Sequence, residues 1–241
     1  MKNPLLSFGA ALLLTTATVQ QAQAQLSVGP RFSLQDTWGR HEVAEPYYST
    51  ASGHRRGFQA GLLLNIPCSP KVAVQPSLLY SRRFFQVEKR TDNRGGYSEL
   101  GLAARVNYLE LPVNLVYTVG GTKGLQVFAG PYAALGLGGE ATPSEFYFWV
   151  WEGLGRSETT GLTFARQQGT DTRNTTYLRR FDAGAQGGIG YRLGSVQAQL
   201  SYSHGFFNRL PRTPDGATAP DKVYHQALQL SVGYLLGGKA S

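Results

Sequence analysis

From residue 26 almost to the end, the chain keeps returning to one pattern. Apolar and polar residues alternate one by one over runs of about ten. In "VQAQLSYSHGFF" (196–207), Val196, Ala198, Leu200, Tyr202 and Phe206 take one side, and Gln197, Gln199, Ser201, Ser203 and Gly205 the other. A period of two predicts a β-strand with one greasy and one polar face. The same alternation recurs in "LSVGPRFSL", "RGFQAGLLLNI", "KVAVQPSLLY", "NYLELPVNLVY", "LQVFAGPYAALGLGG", "FDAGAQGGIGYRL" and "VYHQALQLSVGYLL". Eight strands are therefore expected. Pro30, Pro76, Pro112 and Pro131 lie inside them and each removes a ladder donor, which predicts bulges or strand ends there.

The connections alternate as well. Those after the second, fourth and sixth strands are tight ("PCSP", "GGTKG", "GS"), whereas most of the others are longer and polar. Strands near ten residues, joined alternately by short and long connections, predict an all-β fold. It is an eight-stranded antiparallel up-and-down transmembrane β-barrel with short periplasmic turns and long extracellular loops. The polar row holds Arg31, Glu110, Asp182 and Arg192 among many Gln, Ser and Gly, residues that suit a cramped interior. The nearly continuous aliphatic and aromatic row then faces lipid, and closure leaves no unpaired edge in the hydrocarbon. The competing architecture is a soluble lipocalin-like barrel with the greasy row inside. Its outer surface would carry more Lys and Glu than these strands show.

Composition agrees with the pleated reading. Charged residues are 16 %, and 30 glycines and 13 tyrosines disfavour helices. The first residues, "MKNPLLSFGAALLLTTATVQQAQAQ", combine Lys2, an apolar run over 5–14 and the small-residue site Ala22-Gln23-Ala24. That is a secretory signal peptide over residues 1–24, with residues 25–241 as the barrel domain. The apolar run is too short for a membrane-spanning helix. Cys68 stands alone, so no internal disulfide is available, and no Cys/His spacing suggests a metal or other cofactor. The net charge of +8 would fit nucleic acid in a cytosolic protein. In an exported chain it points instead to anionic lipid, with lipopolysaccharide and an envelope protein as the expected partner classes.

At "YLELPVNLVYTVG" followed by "LQVFAGPYAALGLGG", the sequence resembles the PorT-like outer-membrane β-barrel family of Bacteroidota. The resemblance rests on the "YLELP" strand (108–112), the short turn and the "FAGPY" strand (128–132), and it extends over residues 26–236. The closing hairpin is similar too, although Tyr234 is followed by "LLGGKAS" rather than ending the chain on an aromatic residue. The resemblance implies the barrel fold and the outer membrane, and through the family name a link to secretion.

Four groups of residues carry the candidate chemistry. Arg31, Glu110, Asp182 and Arg192 are expected to form a structural ion-pair network in a filled interior rather than a transport path. Arg55, Arg56, Arg82, Arg83, Arg179 and Arg180 gather at the outer strand ends, where guanidinium groups could grip lipid phosphates. Phe146, Tyr147, Phe148, Trp149 and Trp151 are expected either as an aromatic belt at the membrane interface or as a recognition loop, with the belt favoured. Ser203 and His204 raise the alternative of a lipid-modifying enzyme. Adjacent strand residues point to opposite faces, however, so the pair cannot meet as nucleophile and base, and no catalytic residue is assigned. The expected role is non-enzymatic: a barrel presenting its loops for adhesion, partner binding or secretion.

Overall fold

The computed structural model describes residues 26–42, 49–93, 95–121, 123–149, 152–169 and 175–237. The expected signal peptide, residues 1–24, lies outside them. The described residues form β1 (Ser27–Glu42), β2 (Ser49–Gly53), β3 (Arg55–Pro67), β4 (Val72–Asn93), β5 (Gly96–Thr118), β6 (Lys123–Trp149), β7 (Glu152–Ser157), β8 (Thr160–Phe164), β9 (Thr176–Leu178), β10 (Phe181–Leu193), β11 (Val196–Gly205) and β12 (Lys222–Tyr234). Pairing runs β10-β11-β12-β1-β3-β4-β5-β6, and β6 pairs in turn with β10. The ladder thus returns to the strand it began on, and every pairing in that circuit is antiparallel.

The two rows read from the sequence take opposite sides of this wall. Phe32, Leu34, Leu62, Leu78, Leu109, Leu115, Leu125, Ile189, Leu200 and Leu230 point outward and are 40 to 58 % exposed. Inside, Gln59, Gln75, Asn114, Gln126, Gln197 and Gln199 are 0 to 1 % exposed. Their amides bond mostly to one another. Gln75 donates to Asn65 at 2.9 Å and Gln197 at 3.2 Å, Gln186 donates to Asn114 at 2.9 Å, and Gln199 donates to Gln126 at 3.3 Å. A buried amide left unpaired would cost about 1–3 kcal/mol. This mutual pairing is what lets a polar row fill an interior.

Towards one end the interior turns apolar. Phe85, Ala104, Val106, Tyr108, Tyr132, Ala134, Ala141 and Leu178 cluster there, with Leu162, Phe164 and Leu210 packed against them. The segments β8–β9 and 206–221 contribute Leu162, Phe164, Leu178 and Leu210 to that cluster, so the connections fold back over the mouth. At the opposite end the turns are tight, and Gly194 adopts φ 62° between β10 and β11.

Two expectations change. The prolines do not break the register: Pro30, Pro76, Pro112 and Pro131 sit opposite Leu62, Val113, Tyr132 and Ala185. The register shift falls instead where Asn107 opposes Gly138 and Tyr108 opposes Gly136, leaving Leu137 as the extra residue of a bulge. The connection after the third predicted strand is also not a long loop. β4 and β5 continue as a ladder to Asn93 opposite Gly96, because their cross-strand bonds persist beyond the apolar rows.

Candidate functional site

The interior charges meet at a residue the sequence reading had placed outside. Arg83 follows the outward Arg82 on β4, so strand parity turns it inward, where it is 1 % exposed. Its guanidinium bridges Glu110 on β5 and Asp182 on β10, the latter at 2.8 Å. Gln59 donates to Glu110 at 2.7 Å, and the Tyr132 hydroxyl donates to Asp182 at 3.3 Å. The Arg83 guanidinium also lies 5.1 Å from the ring centre of Tyr108 and 5.3 Å from that of Tyr132. Arg209, from the segment after β11, covers the other side of this group. It hydrogen-bonds the Tyr108 hydroxyl and stacks 4.9 Å from the Phe85 ring centre. Arg83 is therefore a central strut rather than a lipid contact.

The remaining members of the expected network separate. Arg31 is buried but donates to Ser231 at 3.1 Å, with no carboxylate in ion-pair contact among the described residues. Arg192 is half-buried at the turn end of β10 and donates to the Gly194 carbonyl at 2.9 Å, outside the network. The sequence could have revealed Arg83 by counting: Ser77, Leu79, Ser81 and Arg83 share one parity, and all are buried.

Outside, the apolar rows end at a border of polar and aromatic residues. Across β11, β12 and β1 it is aromatic and amide-rich. Trp38 donates to Gln226 at 2.6 Å and lies 6.2 Å from Tyr202. Across β3 to β6 it is cationic. Phe58, Arg82 and Asn107 form one row, and Phe84, Arg105 and Glu140 the next. Arg82 donates to Asn107 at 3.1 Å and lies 5.9 Å over the Phe58 ring. Arg105 lies 5.5 Å over Phe84 and 3.7 Å from Glu140. Arg55 and Arg56 reach the same region, where they line a groove with Phe84, Arg105, Glu140 and Thr142. Arg179 and Arg180 stand apart: the Arg179 amide bonds the Arg209 carbonyl, and Arg180 donates from its side chain to the Gly136 carbonyl at 3.1 Å.

Phe146, Tyr147, Phe148 and Trp149 are strand residues at the end of β6, and Trp151 lies outside the described residues. They follow Glu140 by six to nine positions, roughly 20–30 Å along the strand. That separation is too great for a belt at the membrane interface. Phe146 and Phe148 instead pack on Tyr97, at 5.9 and 5.5 Å, and Arg90 lies 4.1 Å over the same ring. Ser203 is buried and accepts from Gln229 at 3.4 Å, whereas His204 contacts Gln226 on the outer face at 3.2 Å. The two do not form a relay.

A closed antiparallel wall with an apolar exterior and a polar interior defines a membrane-spanning β-barrel. Residues 19–210 match the family described as outer membrane protein beta-barrel domain, and the chain belongs to that family. It is a protein of the outer membrane. No curated relative matches the sequence. Among solved structures it is similar to Ail, the attachment invasion locus protein of Yersinia pestis. Identity there is 12 % and the TM-score 0.42, with 88 % of this chain and 99 % of Ail covered. It is also similar to the translocator domain of the autotransporter NalP from Neisseria meningitidis. Identity is 10 % and the TM-score 0.28, with 95 % of each chain covered.

Proposed function

We propose that the chain is an eight-stranded up-and-down barrel without a wide pore, and that it acts non-enzymatically by presenting a raised sheet to a protein partner outside the cell. The short turns then lie in the periplasm and the long connections outside. The "YLELP" and "FAGPY" strands, joined where Pro112 opposes Tyr132, support a place in the PorT-like branch of the family. The observation that carries the functional reading is the height of one side of the wall. Beyond the border, β4, β5 and β6 continue through residues 86–93, 96–103 and 142–149, flanked by β2 and β7. Tyr147 and Trp149 on this sheet are 51 and 66 % exposed. Buried amides at 0 to 1 % exposure leave no water-filled lumen at their levels, which favours a presenting role over a conducting one.

The test places a photo-crosslinking residue at Tyr147 or Trp149, and at Leu230 as a lipid-facing control, in intact cells. A discrete protein adduct at the first two positions and none at the third is expected. Equal labelling at all three would reject the presenting role.

A further inference from the structure

The outward arginines are not spread around the wall as a uniform girdle. Arg56, Arg82 and Arg105 stand on three adjacent strands at the top of the apolar rows, while β11, β12 and β1 carry aromatic residues and amides there, with Asp36 of β1 opposite Arg56. Arg55, Arg56 and Arg105 line a groove of about 340 Å³ together with Phe84, Glu140 and Thr142, and Phe85 and Ala104 of the interior cluster line it as well. That volume lies at the small end of ligand sites. Arg82 stands one row nearer the membrane, with Asn107 beside it. Below these residues the wall continues through Tyr80, Leu109 and Leu78, all exposed.

We infer that this groove is a binding site for the phosphorylated headgroup of an outer-leaflet glycolipid, whose acyl chains lie on the apolar wall below. The inference rests on the lipid-facing orientation proposed above. Four guanidinium groups against two carboxylates, Glu140 and the Asp36 that opposes Arg56 and holds His54 at 2.9 Å, leave an excess of positive charge, and Arg forks match phosphate oxygens in pairs. The aromatic rings under Arg82 and Arg105 hold these side chains against the wall, so less freedom is lost when a phosphate docks. The Arg82 side chain spends its Nε on Asn107, which leaves both terminal nitrogens for the ligand. Glu140 shares Arg105 at 3.7 Å, and a phosphate there would compete with that contact. A glycolipid phosphate meets both halves of the site at once; a soluble anion meets only the charges.

The experiment uses the full-length mature protein, folded in detergent, with two probes: diphosphorylated lipid A and its dephosphorylated form. Retention is read by native mass spectrometry over a titration. The diphosphorylated lipid should be retained, the dephosphorylated one weakly, and R82Q/R105Q should bind the former about tenfold or more weakly, the scale of losing charge-assisted bonds. R56Q/R105Q serves as a second double variant should the first fail to fold, as judged by its heat-modifiable gel band. R156Q, in β7, should bind as the wild type. Wild-type retention by a folded double variant, equal retention of both lipids, or displacement by millimolar inorganic phosphate would overturn the headgroup site. Failure of the wild-type protein to float with lipid vesicles would instead overturn the lipid-facing orientation.

Discussion

One strand passes through two different environments. In β5, residues 104–118 alternate between buried and exposed or half-buried with hardly a slip, whereas residues 96–103 are almost all half-buried. The backbone pairing is continuous across the change, since Arg105 opposes Phe84 and Tyr97 opposes Asp92 in the same ladder. What differs is the solvent. Below the border, the exposed row shows that lipid on one side and a filled interior on the other assign every residue to a face. Above it, water reaches both faces, and only local stacking such as Tyr97 on Phe148 selects side chains. Hydrogen bonds make the sheet; the contrast between its two sides makes the pattern.

The sharpest way to break this comparison is to disturb charge on each side of the border. Arg83→Met leaves Glu110 and Asp182 buried without their cation, which should cost about 3–5 kcal/mol. Arg156→Met, on the fully exposed β7, should stay within about 0.5 kcal/mol. Urea unfolding in lipid vesicles measures both, and the triple variant R83M/E110Q/D182N should recover part of the first loss. A second pair adds charge instead. Leu230→Arg on the lipid face should cost about 2–4 kcal/mol, near the midplane value for outer-membrane barrels. Leu154→Arg, 74 % exposed on the raised sheet, should be nearly neutral. Similar losses for the two leucines would mean that the border has been drawn in the wrong place. The smallest effect sharpens the comparison without mutation. Amides of residues 97–102 should exchange with deuterium faster than those of 109–116, because the upper ladder opens into water on both sides.

These distinctions also explain what could be read from the chain. Alternation is a local signal, so the strands of the wall were legible wherever lipid enforces a face. "RFFQVEKRTDN" and "GYSELGLAARV" read as polar connection because neither carries that contrast, yet they are β-ladder throughout. The charge assignment failed for a related reason. In the Arg82–Arg83 doublet a census of basic residues sees one patch, while the strand sends its two members to opposite sides. Glu110 and Asp182 were visible as inward carboxylates. That one arginine joins them depends on β4, β5 and β10 curving around a common interior, and no short stretch of sequence contains that.

The Arg83 strut has a consequence for the order of assembly. Its two partners belong to different stages of building the wall. Glu110 lies on β5, the hairpin neighbour of β4, and can meet Arg83 as soon as that hairpin forms. Asp182 lies 99 residues away on β10, and a contact of that span waits on slow, non-local closure. Until β10 docks against β6, its carboxylate faces the forming interior without the guanidinium. Docking of β10 on β6 is therefore the step that neutralises Asp182, and electrostatics adds to backbone pairing there, whereas the seam between the first and last strands is the β1–β12 pair.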